Sequence, residues 1–419
     1  MEDNSDAQRN FVTKGMIIVP TPIKSVAMAT MFGLIGVLLF AALACGGAAT
    51  PETIIVEKEV VKEVIKEVVV EKEIIKEVPK EVVVEKVVIK EVTKVVVVTP
   101  TLEPVKTQLF VLSNSSPHVS VIDTETNRVI RTADIPGFTP WTWTWIDNNN
   151  YFDGTNLWVG IKDPDTTDVE VVKLNLDTLE FTGRLPIGKD KNTLYIGKPG
   201  RNGVVHVGKM GSGQVVAIDI KDFKVLNTWD VPVNGDVVCD ADVVVGSDGV
   251  ERFYYPTRKG GTLVSINAKT GETIKVLEAP EGTQPFMLTA APDGNIWVQE
   301  RGSNTSAVYD PVTLELVKRF PVGKVPIDVT FSPDGKYGYI GHAGDAFVQV
   351  VDTQTFEEVK RITVGTNPRV LAAHPNGKYL YTIVHKEASV AVIDTGSWAV
   401  TERIDLGTAP RGIYLLAGS

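Results

Sequence analysis

The chain has 419 residues, of which 43% are hydrophobic and 22% charged, so a packed core of ordinary globular composition is expected. Its net charge of −10 sets nucleic acid aside as a partner, because neutralising phosphates takes clustered Lys and Arg. There are two cysteines, Cys45 and Cys239. Cys45 belongs to an apolar N-terminal segment, which leaves the folded region a single thiol, too few for an internal disulfide or a thiolate metal cage.

Residues 1–24 are polar and carry Lys14 and Lys24, while Ser25 to Ala44 holds no charge and is mostly apolar. A basic flank, an apolar run and a small-residue end make an export signal. The ending Ala42-Leu43-Ala44-Cys45-Gly46-Gly47 resembles a bacterial lipobox, which implies lipidation at Cys45. The alternative is an uncleaved transmembrane anchor, since ~20 apolar residues span a bilayer. Either way the basic side stays inside and the C-terminal mass lies outside, anchored to the membrane on the cell surface or periplasmic side. Residues 1–45 are therefore read as signal or anchor.

Residues 46–106 are read as stalk and linker. Ile54-Ile55-Val56-Glu57-Lys58 recurs as Val68-Val69-Val70-Glu71-Lys72 and Val82-Val83-Val84-Glu85-Lys86, a 14-residue period. In heptad register Ile54, Val61, Val68, Ile75, Val82, Ile89 and Val96 share one position, the pattern of a self-associating coiled coil. Glu57, Glu71 and Glu85 at alternate core positions, with Pro79 inside the run, keep an extended charged spacer as the alternative.

From Thr107 onward short Val/Ile/Tyr runs alternate with Pro, Gly, Asp and Asn, which predicts half-buried strands joined by hairpins. Two phrases repeat. Ser332-Pro333-Asp334-Gly335, Ala291-Pro292-Asp293-Gly294 and His374-Pro375-Asn376-Gly377 mark one hairpin. The second phrase begins at Asp123, Asn175, Asp219, Asn267, Asp310, Asp352 and Asp394, with Thr, Asp or Ser three residues on. Its carboxylate or amide is expected to close an Asx-turn. Seven copies at steps of 42 to 52 residues, each with four strands, predict a seven-bladed β-propeller over residues 107–419. The C-terminal run Pro410-Arg411-Gly412-Ile413-Tyr414-Leu415 is a first strand without a blade, and Leu109-Phe110-Val111-Leu112 a second strand without a first, so the C-terminal strand should close the ring.

Gly365-Thr366-Asn367-Pro368-Arg369 followed by His374-Pro375-Asn376-Gly377-Lys378, and Val392-Ile393-Asp394-Thr395, resemble the YVTN-type repeat of bacterial seven-bladed propellers. The resemblance runs through residues 107–419, strongest in the last three units, with an insertion at 147–153. It implies the fold and no activity.

Candidate chemistry is sparse. His118, His206, His342, His374 and His385 fall at different repeat positions, so no convergent metal ring and no cofactor are expected. Gly208-Lys209-Met210-Gly211-Ser212-Gly213 joins two strands rather than opening a helix, which makes it a blade loop and not a phosphate cradle. Nucleophile-elbow, zinc-protease and P-loop motifs are all missing. Trp141, Trp143 and Trp145 alternate on the expected innermost strand of the second blade and point one way. The most promising positions are the starts of the innermost strands. Trp141, Phe286, Arg369 and Arg411, with Ile327, should rim one end of the central channel, where Arg grips oxyanions and aromatics stack on flat ligands. The leading expectation is a tethered binding or scaffold module for a protein, a glycan or a small anionic ligand. The alternatives are a propeller-type enzyme (a lyase or a cofactor-dependent oxidoreductase) and a structural surface component assembled through its stalk.

Overall fold

The computed structural model describes residues 106–418 apart from 114–115, 136–145, 148–149, 193, 210 and 233–239. The export segment with Cys45, the stalk, the Trp141–Trp145 run and Cys239 lie outside the described residues.

Seven antiparallel sheets are arranged as blades, their strands following one another from the channel outward. Blade one joins β27 (Pro410–Leu416) to β1 (Gln108–Ser113), β2 (His118–Asp123) and β3 (Arg128–Asp134). In blade two the described strands are β4 (Asn156–Lys162), β5 (Asp168–Asn175) and β6 (Phe181–Lys189). Blade three has β7 (Leu194–Ile196), β8 (Val204–Lys209), β9 (Gln214–Asp219) and β10 (Lys224–Asp230). Blade four has β11 (Asp242–Val245), β12 (Glu251–Thr257), β13 (Thr262–Asn267) and β14 (Thr273–Glu278). Blade five has β15 (Pro285–Ala290), β16 (Ile296–Glu300), β17 (Thr305–Tyr309) and β18 (Leu316–Pro321). Blade six has β19 (Pro326–Phe331), β20 (Tyr337–His342), β21 (Phe347–Asp352) and β22 (Glu358–Thr363). Blade seven has β23 (Pro368–Ala373), β24 (Tyr379–Val384), β25 (Ser389–Asp394) and β26 (Ala399–Asp405). The ring closes as expected, because β27 pairs with β1 in the register Leu109↔Leu415, Phe110↔Tyr414 and Val111↔Ile413.

Burial drops at the outermost strand of each blade. The middle strands β20, β21, β24 and β25 are buried on both faces, whereas β22 exposes Glu358 to Arg361. This differs from the half-buried strands that alternation predicts. A blade is covered on both sides by its neighbours, so runs such as Ser389-Val390-Ala391-Val392 are apolar or small throughout. The core is accordingly divided among blade interfaces. One cluster joins Tyr339 and Val350 of blade six to Leu380 and Ile393 of blade seven, and another joins Val370 and Tyr381 of blade seven to Leu109 and Ile413 of blade one.

All seven Asp/Asn residues of the second phrase close Asx-turns. The Asp123 carboxylate accepts the Glu125 and Thr126 N–H groups at 2.9 and 3.0 Å, and Asp352 accepts those of Gln354 and Thr355 at 2.9 Å. Equivalent bonds reach Asn175, Asp219, Asn267, Asp310 and Asp394. These bonds to the ionised form hold the Asp352 carboxyl below its usual range despite a small opposing cost of burial.

Each turn does a second job that the sequence pattern did not announce. The residue four positions after the Asp or Asn has positive φ in every blade: Asn127, Leu179, Phe223, Gly271, Leu314, Phe356 and Trp398. A left-handed backbone at a side-chain-bearing residue costs about 1–2 kcal/mol, and packing against the preceding blade offsets it. Phe356 meets Trp297 with ring centroids 5.8 Å apart, Trp398 meets Tyr337 at 5.3 Å, and Phe223 meets Trp158 at 4.9 Å. In blade one, Asn127 instead accepts a bond from the Tyr381 hydroxyl at 3.1 Å. Gly271 is the exception. A Cβ there would lie 2.1 Å from Trp229, so Trp229 of the neighbouring blade occupies the space that the missing side chain leaves.

Candidate functional site: the channel mouth

The innermost strands β15, β19, β23 and β27 each begin with proline, which has no N–H to leave unpaired at a strand start. The second residue of each is Phe286, Ile327, Arg369 or Arg411, so these side chains gather at one end of the channel. Sequence numbering placed them on the first strand residue; the structure places them on the second. Trp141, the fifth expected position, lies outside the described residues.

Antiparallel pairing brings a second set of residues to the same end. Pro285 faces Glu300, Pro326 faces His342 and Pro368 faces Val384, so the residue that follows each second strand also comes to the mouth. These are Arg301, Ala343 and His385, with Arg258 at the same repeat position after β12. Arg301 stacks on Phe286 at 4.3 Å from guanidinium carbon to ring centroid, and Arg258 lies 6.0 Å from the same ring. Phe286 is thereby buried beneath two cations rather than presented as an open stacking surface.

Arg369 is held in place by its own blade. Its Nε donates to Asn367 Oδ1 at 2.7 Å. Asn367 is buried with φ 66°, its N–H bonds the Asp345 carbonyl and its carbonyl accepts the His385 N–H. Burial, and then the neighbouring Arg301, lower the hold of Arg369 on its proton. Burial, and then Arg369, push Arg411 down to about 10. Arg301, Arg369 and Arg411 thus form a half-buried series of like charges. His385 Nδ1 donates to the Pro410 carbonyl at 2.7 Å. Burial pushes its imidazole toward the neutral form, partly opposed by that bond, with Arg369, Arg411 and Lys386 adding to the push.

Deeper along the inner strands lies a layer of buried carboxyls. Asp240 Oδ2 accepts the Leu288 N–H at 3.0 Å, Asp242 Oδ2 that of Ala290 at 3.0 Å, and Asp328 Oδ2 that of Leu371 at 3.1 Å. Asp242 and Asp328 lie in innermost strands and Asp240 just before one, and each bond ties its blade to the innermost strand of the next, whose edge N–H would otherwise face the channel unpaired. Burial, followed by Asp147, raises Asp240 well above the carboxylate range and Asp328 to about 8.

The other histidines are dispersed. His206 Nε2 donates to Ala268 O at 2.6 Å, His342 accepts the Gly323 N–H at 3.1 Å, His118 meets Asp134 at 2.9 Å, and His374 sits in its hairpin bonded by the Asn376 N–H at 3.2 Å. Among the described residues no group of three or more His, Cys, Asp or Glu is arranged to hold a metal ion. Arg258 and Arg301 are the mouth residues that reading strand starts alone misses. Aligning the residue after each second strand (Asp163, Arg258, Arg301, Ala343, His385) would have found them.

No protein-family model matches the chain, and no curated protein matches it. Solved structures do. The periplasmic gluconolactonase of Pseudomonas aeruginosa superposes with a TM-score of 0.58 at 16% identity, covering 74% of this chain and 99% of that one. Apo AztD from Citrobacter koseri gives 0.53 at 14% identity, covering 76% and 99%. A dihydro-haem d1 dehydrogenase gives 0.51 at 16% identity over 71% of this chain, which spans 63% of that protein. At such identities the likeness is one of fold, and the fold is a seven-bladed β-propeller closed by its C-terminal strand.

Proposed function

We propose that this chain is an exported propeller, held at a membrane through Cys45 lipidation or its apolar N-terminal run, which recognises a small anionic ligand at the channel mouth. The observation that carries the reading is the series Arg301, Arg369 and Arg411, in which each of the last two arginines is weakened by burial and by a neighbouring cation. Guanidinium forks gathered at one end of a channel suit an oxyanion, which each can grip through two N–H groups. The tether reading rests on Lys24, the uncharged Ser25–Ala44 run and Cys45. Inorganic phosphate should raise the melting temperature of the wild type and leave the R369Q/R411Q double variant unmoved. Equal shifts in both proteins would sink the anion reading. Metabolic labelling with a radioactive fatty acid should mark the wild type and not Cys45→Ser.

A second reading, an enzyme acting on a small molecule, is favoured by the proton-holding carboxyls Asp240 and Asp328 in the channel. The Pseudomonas protein named a gluconolactonase suggests the assay. Hydrolysis of gluconolactone above the spontaneous rate, lost in Asp328→Asn, would put this reading first.

A further inference from the structure

Strands β8 and β12 run toward the channel mouth, and where they begin, at the opposite end of the blades, a pocket of about 300 Å³ opens between blades three and four. Its floor is apolar: Val204 and Ala217 of blade three and Ala268 of blade four, with half-buried Trp229 and exposed Leu226 beside them. The turn that carries Ala268 ends at Gly271, which brings no side chain to this interface, and Trp229 reaches into its place. His206 fixes Trp229 from beneath, its ring stacked on the indole at 6.0 Å and its Nε2 bonded to the Ala268 carbonyl at 2.6 Å. The rim is polar. Glu251 Oε1 accepts the Arg201 N–H at 2.6 Å and Oε2 the Asn202 amide at 3.1 Å. A Cβ at Gly200 would lie 2.3 Å from Glu251 Oε1, so the glycine lets the hairpin of blade three close on this carboxylate. Glu251 is thereby fixed by two donors and keeps further lone pairs, and Lys269 and the Asn227 side chain complete the rim.

We infer that this pocket binds one neutral sugar ring, as at the terminus of a glycan. An anion would meet Glu251 and a cation Lys269, so a net charge is disfavoured from both sides. A wholly apolar ligand would strip water from the carboxylate and the ammonium without replacing it. A sugar hydroxyl both donates and accepts, which suits Glu251, Lys269 and the two amides alike, while ring C–H groups lie on Trp229 and the apolar floor. The volume is at the small end of ligand pockets, which suits a single ring. The pocket stands apart from the mouth arginines and does not depend on the anion reading.

The test is calorimetric titration of the full chain, in a sugar-free detergent, with the methyl glycosides of glucose, galactose and mannose and with N-acetylglucosamine, each in the millimolar range. Leucine serves as a zwitterion of similar size. At least one sugar should bind and leucine should not. Glu251→Gln and Trp229→Ala should each weaken that sugar about tenfold or more. Trp229→Phe keeps an aromatic ring and should retain part of the affinity. Lys269→Ala, in an exposed turn, should weaken the sugar about two- to tenfold and leave the melting temperature unchanged. Leucine binding in place of the sugars would make the ligand a zwitterion and overturn the inference. A sugar that binds all these variants as well as the wild type sits elsewhere, which overturns it too, and so does the absence of any sugar binding to a chain that melts in one sharp transition.

Discussion

The rim of turns around the outside of the ring and the mouth of the channel at its centre are built on opposite rules. At the rim every blade closes a turn with an Asp or Asn and turns left-handed four residues later, where a side chain meets the preceding blade except at Gly271, whose place Trp229 fills. At the mouth equivalent positions differ from blade to blade, as Phe286, Ile327, Arg369 and Arg411 do. Charges at the rim are matched to backbone N–H groups, whereas charges at the mouth oppose one another. Repetition marks what holds the ring together, and departure from repetition marks the place where we propose a ligand is met.

Changes to the chain put that contrast at risk in different degrees. Removing residues 408–419 takes away β27, leaves β1 without its inner partner and opens the ring. Cooperative unfolding should be lost and the protein should aggregate; a sharp melting transition in the truncated chain would show that closure is dispensable. Next in size is Gly271→Ala, which drives a Cβ into Trp229 and should cost about 2–4 kcal/mol in urea unfolding. Because the other six blades tolerate side chains at this φ, the collision is the cause. Trp229→Ala in the same chain should therefore recover much of the loss, and strict additivity would refute the account.

The effect of pH separates the two regions by sign. Asp240 and Asp328 have raised folded pKa values, so above about pH 4 the folded state keeps protons that the unfolded chain has released, for Asp328 up to about pH 8. Their contribution is complete below the unfolded pKa and is lost as pH rises through the folded one. Stability should fall across this window by as much as roughly 1.4 kcal/mol for each pH unit per proton difference, and Asp328→Asn should flatten the slope. The turn carboxylates Asp352 and Asp394 are depressed, so their contribution is present above about pH 4 and is lost as pH falls below it. A smaller effect is expected from Asp123→Ala, about 1–2 kcal/mol for two backbone bonds, with anion binding unchanged. Arg411→Gln should do the reverse, weakening anion binding while leaving the melting temperature equal or higher.

Blade number and the Asx-turns were legible because an Asp or Asn recurs every 42 to 52 residues from Asp123 to Asp394, and closure because each end of the domain reads as part of one blade. The contact four residues later was not, since Asn, Leu, Phe, Gly and Trp all serve there; what they share is a backbone conformation and a neighbour, and neither is written as a letter. Arg369 and Arg411 could be singled out because Pro-Arg-Gly or Pro-Arg-Val marks a strand start. Arg258 and Arg301 open loops of different sequence, Arg-Lys-Gly and Arg-Gly-Ser, and join the site only through strand register. Asp240 and Asp328 look like any surface aspartate until the channel encloses them.

The pairing of Leu109 with Leu415 also sets the order of events during synthesis. The first blade is begun by the earliest strand of the domain and completed only by the last, more than 300 residues later. A growing chain therefore carries an unfinished edge until that final strand emerges, and blades two to seven must wait to lock into a circle. If the chain is exported as proposed, this delay keeps it threadable on one side of the membrane and lets the ring close on the other.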